Sequence, residues 1–301
     1  MPGTVNPLWP RLALTVGAMI GAGTFLVAKF ATERFEVLEL GWFRINLSAV
    51  LIACVFFVRN RRLPQLPRED WPKAVVLGMT GITMNQLLFL YGIHFAPAID
   101  GALLYAATPA LVLMAARLWL KEPLTGGKVA GVLVAFLGVY VVLRTRGLQF
   151  DPAYLKGDLL LALAVVFWAV YTLVGKNLLK KHDSLAVNTV SFAIGALSLL
   201  PVAPIVLMGF DWSGPGWQGW LGLAYLSGMT SVVSFSLWYW ALQHMETSQV
   251  AVFTNLQPPF TALFAWIFLS QIPSAPIVLG GTLVIVGVTL AQVKWRRRKP
   301  A

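Results

Sequence analysis

The chain has 301 residues, of which 58% are hydrophobic and only 12% are charged, and its mean hydropathy is +0.74. Soluble domains carry about 25% charged residues, so this composition excludes a soluble globular protein and predicts an integral membrane protein. The net charge of +11 does not indicate a nucleic-acid partner, because the basic residues cluster in loops and at the C-terminus, where they face lipid head groups.

Ten apolar segments follow one another along the chain, and each has about the 20 residues that a membrane-spanning helix needs. They form two sets of five: 11–30, 40–58, 73–93, 100–120 and 127–144, then 157–176, 186–208, 217–240, 248–269 and 276–293. Because five is odd, two such units joined end to end enter the membrane from opposite sides. The sequence therefore predicts an all-α membrane protein with ten transmembrane helices, built from inverted repeats over residues 1–146 and 147–301. This architecture is typical of secondary transporters.

The distribution of basic residues predicts the orientation of these helices. With the N-terminus in the cytoplasm, 17 of the 23 Lys and Arg residues lie in inner loops or near inner span ends, five lie on the outer side, and only Arg44 is assigned to the interior of a span. The positive-inside rule therefore predicts cytoplasmic N- and C-termini. The expected location is a bacterial inner membrane, with the basic C-terminal tail against its lipids.

The two predicted repeats share residues at prolines, glycines and helix ends, where backbone geometry tolerates little change. An offset of 149 aligns Tyr91 with Trp240, Ala102 with Ala251, Pro109 with Pro258, Gly131 with Gly280 and Gly138 with Gly287. Nearer the start of each half, an offset of 147 aligns Lys29 with Lys176. Such sparse matches are expected of an old duplication.

Several segments together resemble the drug/metabolite transporter superfamily, and specifically its ten-helix EamA-type exporters. The first half carries YGIHFAPA from Tyr91, ATPALVL from Ala107 and WLKEPLT from Trp119, and the second half opens with FWAVYTLVGK from Phe167. The resemblance covers nearly the whole chain and implies that helices three, four, eight and nine line the substrate path. Within the family, the chain most resembles the exporters of aromatic and large neutral amino acids. It departs from the family pattern at Gly21, where the family has tryptophan, and at Gln271, the second-half counterpart of Glu122.

Charged residues are nearly absent from the predicted spans, which limits the substrate class. No Asp or Glu lies in the middle of a span, so exchange of protons for drug cations on a first-helix carboxylate is disfavoured. Phosphorylated sugars need cationic groups in the cavity, and Arg44 is the only candidate. Facilitated diffusion or exchange is therefore favoured over strong proton coupling.

Polar and aromatic side chains within the predicted helices form the candidate substrate site. They are Asn85, Tyr91, Tyr105, Thr108, Trp168, Tyr171, Ser234, Trp238, Asn255 and Gln257. Amides and hydroxyls can orient a ligand, and aromatic faces accept an ammonium group or a ring, so this set suits a neutral or zwitterionic solute such as an amino acid. The alternatives are that the polar groups join helices and that Trp238 belongs to an interfacial belt.

Four further residues are candidates for gating or hinge roles. Pro109 and Pro258 interrupt helical hydrogen bonding at matching places in the two halves. Arg44 lies one turn into its span and is expected to extend towards the membrane surface; if it instead faces the cavity, it attracts a carboxylate. His94 ends the third predicted helix, where interfacial packing is expected, with proton sensing as the alternative.

Two other functional classes fit the sequence less well. An intramembrane enzyme needs metal-ligand spacing or paired aspartates, whereas His94, His182 and His244 stand at helix ends or in loops without carboxylate partners at ligand spacing. A passive channel needs charged rings or carbonyl filters. We therefore expect no catalytic residues, no metal and no cofactor, and a small-molecule substrate and the lipid bilayer as partners. The sequence leaves the oligomeric state open, and a monomer is compatible with it.

Overall fold

The computed structural model describes residues 6–96, 98–144, 154–269 and 275–292, and all regular structure in these ranges is helical. The first half contains α1 (Leu8–Ala31), α2 (Val37–Asn60), α3 (Trp71–Leu77), α4 (Asn85–Phe95), α5 (Ala98–Ala106), α6 (Thr108–Trp119) and α7 (Gly126–Arg144). The second half contains α8 (Leu155–Leu178), α9 (Ser184–Ser198), α10 (Ala203–Leu207), α11 (Gly216–Ala224), α12 (Phe235–His244), α13 (Thr247–Ala251), α14 (Gln257–Leu269) and α15 (Ala275–Gln292).

Six helical rods in the described part of the chain are long and apolar enough to span a bilayer. These are Leu8–Ala31, Val37–Asn60, Arg68–Phe95, Leu155–Leu178, Ser184–Leu207 and Gly216–His244. Shorter apolar helices cover Leu104–Trp119, Gly126–Val141 and Val278–Gln292. Helices therefore occupy each of the ten predicted segments, although the number of spans and the cytoplasmic placement of the termini stay predictions.

Two of the rods contain a π-helical stretch at corresponding positions. Gly78–Met84 joins α3 to α4, and Tyr225–Ser234 joins α11 to α12. In each stretch a hydroxyl donates to the carbonyl five residues earlier: Thr83 to Gly78 at 3.3 Å and Ser231 to Leu226 at 2.9 Å. A π-turn is wider than an α-turn and is frequent at functional sites, because it changes the direction of the side chains that follow.

Two predicted spans are each broken into separate helices immediately before a proline. Pro109 is the second residue of α6, after α5 has ended at Ala106. Pro258 is the second residue of α14, which follows the 3-10 segment Val252–Leu256. Proline lacks an N–H group and clashes with the carbonyl of the preceding turn, so it is tolerated only in the first turn of a helix. Each proline accordingly starts a helix.

Helices α7 and α15 cross in backbone contact. A Cβ added to Gly131 would lie 2.6 Å from the Gly287 carbonyl oxygen, and one added to Gly138 would lie 2.5 Å from the Gly280 carbonyl oxygen. Only glycine permits this approach, which resembles the small-residue packing of other membrane helices. The four glycines aligned by the offset of 149 thus form one interface.

Two lysines cap helix ends in the same way. Lys29 Nζ donates to the carbonyls of Ile93, His94 and Ala96 at 3.0, 3.1 and 3.4 Å. Lys176 Nζ donates to those of Leu242 and Met245, both at 2.6 Å, and these two acceptors are Ile93 and Ala96 shifted by 149. Lysine at a helix C-terminus is favourable because the last carbonyls lack helical partners.

The two lysine caps lie at opposite ends of the molecule. A Cβ added to Gly157, near the start of α8, would lie 2.6 Å from Ala96 Cβ, which places the Lys29 cap beside that end of α8. Lys176 is 19 residues further along the same helix, or about 28 Å at 1.5 Å per residue. The same contact therefore recurs at the two ends of one helix, while the division into two inverted repeats stays a prediction.

Candidate functional site

An open cavity lies between helices of both halves. Its empty space, including the part that opens to solvent, is about 790 Å³. Its lining is aromatic and uncharged apart from one arginine. It comprises Leu14, Gly17, Ala18, Gly21, Thr24 and Phe25 of α1, Arg44 of α2, Asn85, Gln86 and Phe89 of α4, Tyr105 of α5, Trp168 of α8, Thr230, Ser234, Phe235 and Trp238 of the α11–α12 rod, and Phe253, Thr254 and Gln257 next to the second helix break.

One aromatic wall of the cavity is centred on Trp168. Its ring centroid lies 5.0 Å from that of Phe235 and 5.3 Å from that of Trp238. Both tryptophans are at least 91% buried, and neither indole N–H has a hydrogen-bond partner among the described residues. Buried indole N–H groups normally find partners, so these two donors lack an acceptor that the described protein does not supply.

A second aromatic wall of the cavity is made of Phe25, Phe89 and Tyr105, with centroid distances of 5.6–5.8 Å. Asn85 orients this wall: its Nδ2 donates to Tyr105 Oη at 3.0 Å and to the Ala164 carbonyl at 2.8 Å. The amide of Asn85 is therefore largely engaged by the protein.

The neighbouring Gln86 has a free amide. It lines the cavity and is only 2% exposed, yet neither its amide nitrogen nor its amide oxygen has a partner in the described structure. Leaving such a group unpaired in the interior is costly, which favours a ligand contact. Gln86 was not among the predicted site residues, although its position beside Asn85 in an apolar segment was a usable signal.

Arg44 is the only charged residue in the described cavity lining, and it is 2% exposed. Its Nε donates to Ser231 Oγ at 3.3 Å, whereas Nη1 has no partner among the described side chains. The prediction that Arg44 extends to the membrane surface is wrong. The wide π-turn brings Ser231 towards α2, and the guanidinium lies in the cavity wall instead.

Helix α1 is held against the second half by hydroxyl contacts around the cavity. Thr24 and Thr230 share a hydrogen bond of 2.9 Å, and Ser234 donates to the Gly17 carbonyl at 3.3 Å. Gly21 packs directly against the Gln257 amide, so a Cβ at position 21 would collide with it. Gln257 thus occupies the space beside Gly21.

Of the predicted substrate-site residues, Asn85, Tyr105, Trp168, Ser234, Trp238 and Gln257 line the cavity, whereas Tyr91, Thr108, Tyr171 and Asn255 do not. Tyr171 is fully buried: its hydroxyl donates to Asn188 at 3.1 Å, and its ring stacks on Tyr239 at 4.8 Å. Thr108 and Asn255 are fully buried beside the two helix breaks, with unpaired side-chain polar atoms.

The candidates for gating are spread over the molecule. Arg44 lies in the cavity wall, and Pro109 and Pro258 begin α6 and α14 without lining the cavity. His94 is exposed at the end of α4, with its ring 5.0 Å from that of Phe95. Within the described ranges there is no grouping of His, Cys, Asp and Glu that would hold a metal ion.

A polar cluster joins the two halves at the Lys176 end of the molecule; it contains Glu122, Lys128, Glu246, Thr247 and Ser248, and we refer to it as the Glu122 cluster. The Glu122 carboxylate accepts hydrogen bonds from Thr247 N at 2.7 Å and from Ser248 N and Oγ at 3.2 and 2.7 Å. Lys128 Nζ pairs with Glu246 and lies 3.8 Å from Glu122. The α6–α7 loop is thereby tied to the start of α13.

The charge of Glu122 is stabilised within this cluster. Burial raises the pKa of its carboxyl, but the hydrogen bonds from Ser248 and Thr247 together outweigh burial and leave the pKa below its ordinary value. A carboxylate at a helix N-terminus is also favoured by the helix dipole. Of this cluster, the sequence had singled out only Glu122, as a family position.

The sequence pattern of the EamA-like transporter family matches residues 8–144 and, separately, residues 155–292. The chain belongs to this family. It is thus a multi-pass membrane transporter of small molecules, as its motifs predict, and not an enzyme; the narrower likeness to aromatic amino-acid exporters stays a prediction.

Curated relatives of this EamA-like transporter cover nearly its full length. An uncharacterized transporter of Archaeoglobus fulgidus is 31% identical over 291 residues, 94% of this chain and 97% of that protein. A probable terminal-alkyne amino-acid exporter of Streptantibioticus cattleyicolor is 26% identical over 92% of this chain and 91% of that protein. The pseudopaline exporter of Pseudomonas aeruginosa is 24% identical over 92% of this chain and 95% of its own length. A solved crystal structure shares the fold, with a TM-score of 0.76 at 21% identity over 94% of this chain and 96% of that one.

Proposed function

We propose that this EamA-like transporter exports small zwitterionic or neutral solutes, foremost amino acids with aromatic or large neutral side chains, across a bacterial inner membrane. The observation that carries the proposal is the composition of the cavity wall. Two aromatic groups in the lining suit an apolar side chain, and the unpaired donors of Gln86, Trp168 and Trp238 match the acceptors at the polar end of the solute. The name of the Streptantibioticus relative adds support.

The contacts between the halves are compatible with alternating access. On the predicted topology of ten spans with cytoplasmic termini, the Glu122 cluster lies on the cytoplasmic side, where it ties the first repeat to the second. Opening that side requires the hydrogen bonds of Glu122 to break. The helix breaks before Pro109 and Pro258 then supply flexible points in both repeats.

Counterflow in proteoliposomes tests the proposal. We expect saturable exchange of labelled phenylalanine, leucine and related neutral amino acids, with little change when a pH gradient is imposed, since no carboxylate lines the described cavity. Non-saturating flux without counterflow would identify a passive channel. No uptake of any amino acid would refute the proposed substrate and redirect the search to other metabolites of this family.

Cavity variants connect the flux to the site. Trp168→Ala and Gln86→Ala should each reduce exchange about tenfold or more while the protein still inserts into the membrane. Trp217→Ala is the matched control, because Trp217 is 73% exposed and lies outside the cavity. Unchanged exchange in both cavity variants would contradict the assignment of this cavity as the substrate site.

A further inference from the structure

The Arg44 guanidinium is a buried cation that the described protein leaves uncompensated. It is 2% exposed and lines the cavity, and no carboxylate of the described side chains lies within 4.0 Å of it. Its one side-chain hydrogen bond, from Nε to Ser231 Oγ, leaves Nη1 unpaired. Buried charges are normally paired, so an unpaired one in a substrate cavity indicates an anionic ligand group.

The surroundings of Arg44 fix its position. Ser231 Oγ donates its own proton to the Leu226 carbonyl at 2.9 Å, and its lone pairs are therefore available to Arg44 Nε. The backbone carbonyl of Arg44 accepts from Ser48 Oγ at 2.6 Å and from Ser227 Oγ at 3.4 Å. Ser231 and Ser227 of the π-helical stretch thus contact the side chain and the backbone of Arg44, respectively, without neutralising its charge.

The other unpaired groups of the same cavity are mostly donors. Gln86 Nε2, Trp168 Nε1 and Trp238 Nε1 all lack partners in the described structure, and each belongs to a cavity-lining side chain. The described lining thus contains these donors and one cation, but no acidic side chain. The cavity is therefore electropositive and rich in N–H groups, as a carboxylate requires.

We propose that Arg44 binds the carboxylate of the transported solute, and that a free carboxylate, rather than an amino group, is what this cavity selects. The inference rests on the proposed function and narrows its substrate class to monocarboxylates, with amino acids among them. The aromatic walls accept the apolar side chain, and they tolerate an ammonium group without requiring one. Amides, esters and amines of the same shape are poor ligands.

Calorimetric titration of the purified full-length protein in detergent tests the proposal with four compounds of one shape. L-phenylalanine and 3-phenylpropanoate carry the carboxylate, whereas phenylalaninamide and phenethylamine lack it. We expect the two acids to bind about 10- to 100-fold more tightly than the other two, the range expected for a charge-assisted hydrogen-bonded pair. Equal binding of acid and amide would overturn the proposal.

Substitutions of Arg44 test whether this residue is the source of the preference for carboxylates over amides. Arg44→Gln should reduce the affinity for phenylalanine to the level of its amide, and Arg44→Lys should retain part of the preference, because it keeps the charge but loses the planar fork. Arg34→Gln is the matched control: Arg34 also lies near the α1–α2 connection, but its guanidinium stacks on Phe30 outside the cavity. Retention of the acid preference in Arg44→Gln would exclude Arg44 as its source.

A second measurement separates this proposal from the proposed function. Thermal unfolding is recorded with acetate, butyrate and 3-phenylpropanoate, and with their amides, at low and high chloride. If carboxylates stabilise the protein and this stabilisation is lost in Arg44→Gln, the Arg44 site is supported. This holds even if no amino acid is transported, because that result would refute only the proposed substrate. Competition by chloride at equal concentration would identify an inorganic anion site instead. Amino-acid exchange with no discrimination against amides would preserve the proposed function and refute the role of Arg44.

Discussion

Replacement of Glu122 by glutamine tests whether the Glu122 cluster stabilises the structure. The carboxylate accepts three hydrogen bonds, two of them from backbone N–H groups at the start of α13, and its side chain is only 11% exposed. Glutamine has nearly the same shape, but it is neutral and turns an NH₂ group towards donors. At least one acceptor contact is lost, and the remaining ones are no longer charge-assisted.

The expected loss of unfolding free energy for Glu122→Gln is about 2–3 kcal/mol. Hydrogen bonds to charged groups contribute about 1.5–3 kcal/mol and neutral ones about 1, and the lost interaction with the helix dipole adds up to about 1 kcal/mol. Screening of the Glu122 charge by solvent reduces this loss only slightly, because the side chain is nearly buried. Equilibrium unfolding in mixed detergent micelles measures the difference.

Glu69→Gln is the control for the Glu122 substitution. The Glu69 side chain is 72% exposed and pairs at 3.4 Å with Lys181, whose side chain is 56% exposed, so we expect its removal to cost less than about 0.5 kcal/mol. If Glu122→Gln were no more destabilising than Glu69→Gln, the cluster would contribute nothing beyond a surface ion pair. The inference that it holds the two halves together would then be wrong.

The pH dependence of stability provides an independent check on Glu122. Its folded-state pKa lies below the ordinary glutamate value of about 4.3, so the unfolded chain binds the proton more tightly. The contribution of this carboxylate is therefore fully present above that ordinary value, and it disappears as the pH falls through the folded-state pKa. The difference in stability between the unmodified protein and Glu122→Gln should narrow below about pH 4; a difference constant from pH 7 to pH 3 would contradict this.

Three further predictions concern packing and unpaired groups. Gly131→Val should destabilise the protein by about 3 kcal/mol or more, because the new side chain meets the backbone of α15. Gly228→Ala is the control and should cost about 1 kcal/mol or less, since the space around its Cβ is open. Thermal unfolding distinguishes the two variants. Lys29→Met and Lys176→Met should each cost about 1–3 kcal/mol by leaving helix-end carbonyls unpaired, and similar losses would agree with equivalent roles in two repeats. Gln86→Leu should raise the stability of the ligand-free protein by about 1 kcal/mol but weaken substrate binding, and a loss of stability would show that Gln86 has a structural partner.

The sequence predicts the helices well because their determinants are local. Apolar length defined the ten segments, and the prolines at 109 and 258 and the glycines of α7 and α15 stand at the positions where the structure breaks or crosses helices. The π-helical stretches could not be predicted in this way. Gly81 of the first stretch, for example, packs directly against the ring of Tyr171 from α8, a neighbour distant in sequence.

The direction of side chains around the cavity depends on the same long-range packing. The sequence predicts Arg44 at the membrane surface, because it shows only that the residue lies near the end of a helix. The contact that keeps it inside comes from Ser231, 187 residues away. The Glu122 cluster likewise joins residues 125 and 126 positions apart. Periodicity and composition contain no information about such pairs.

Hydrogen-bond accounting separates two kinds of polar residue that look alike in the sequence. Asn85 and Tyr171 satisfy their side-chain donors within the protein, which is how polar groups join helices in a membrane. Gln86, Trp168 and Arg44 are also buried and line the cavity, but each keeps a side-chain donor without a partner among the described residues. A protein selected for stability alone would pair or remove such groups, because each costs free energy in the empty state. Unpaired buried polar atoms also occur away from the cavity, as at Thr108 and Asn255. Those of Gln86, Trp168 and Arg44 belong to side chains that line the cavity, where a solute can supply the missing acceptors.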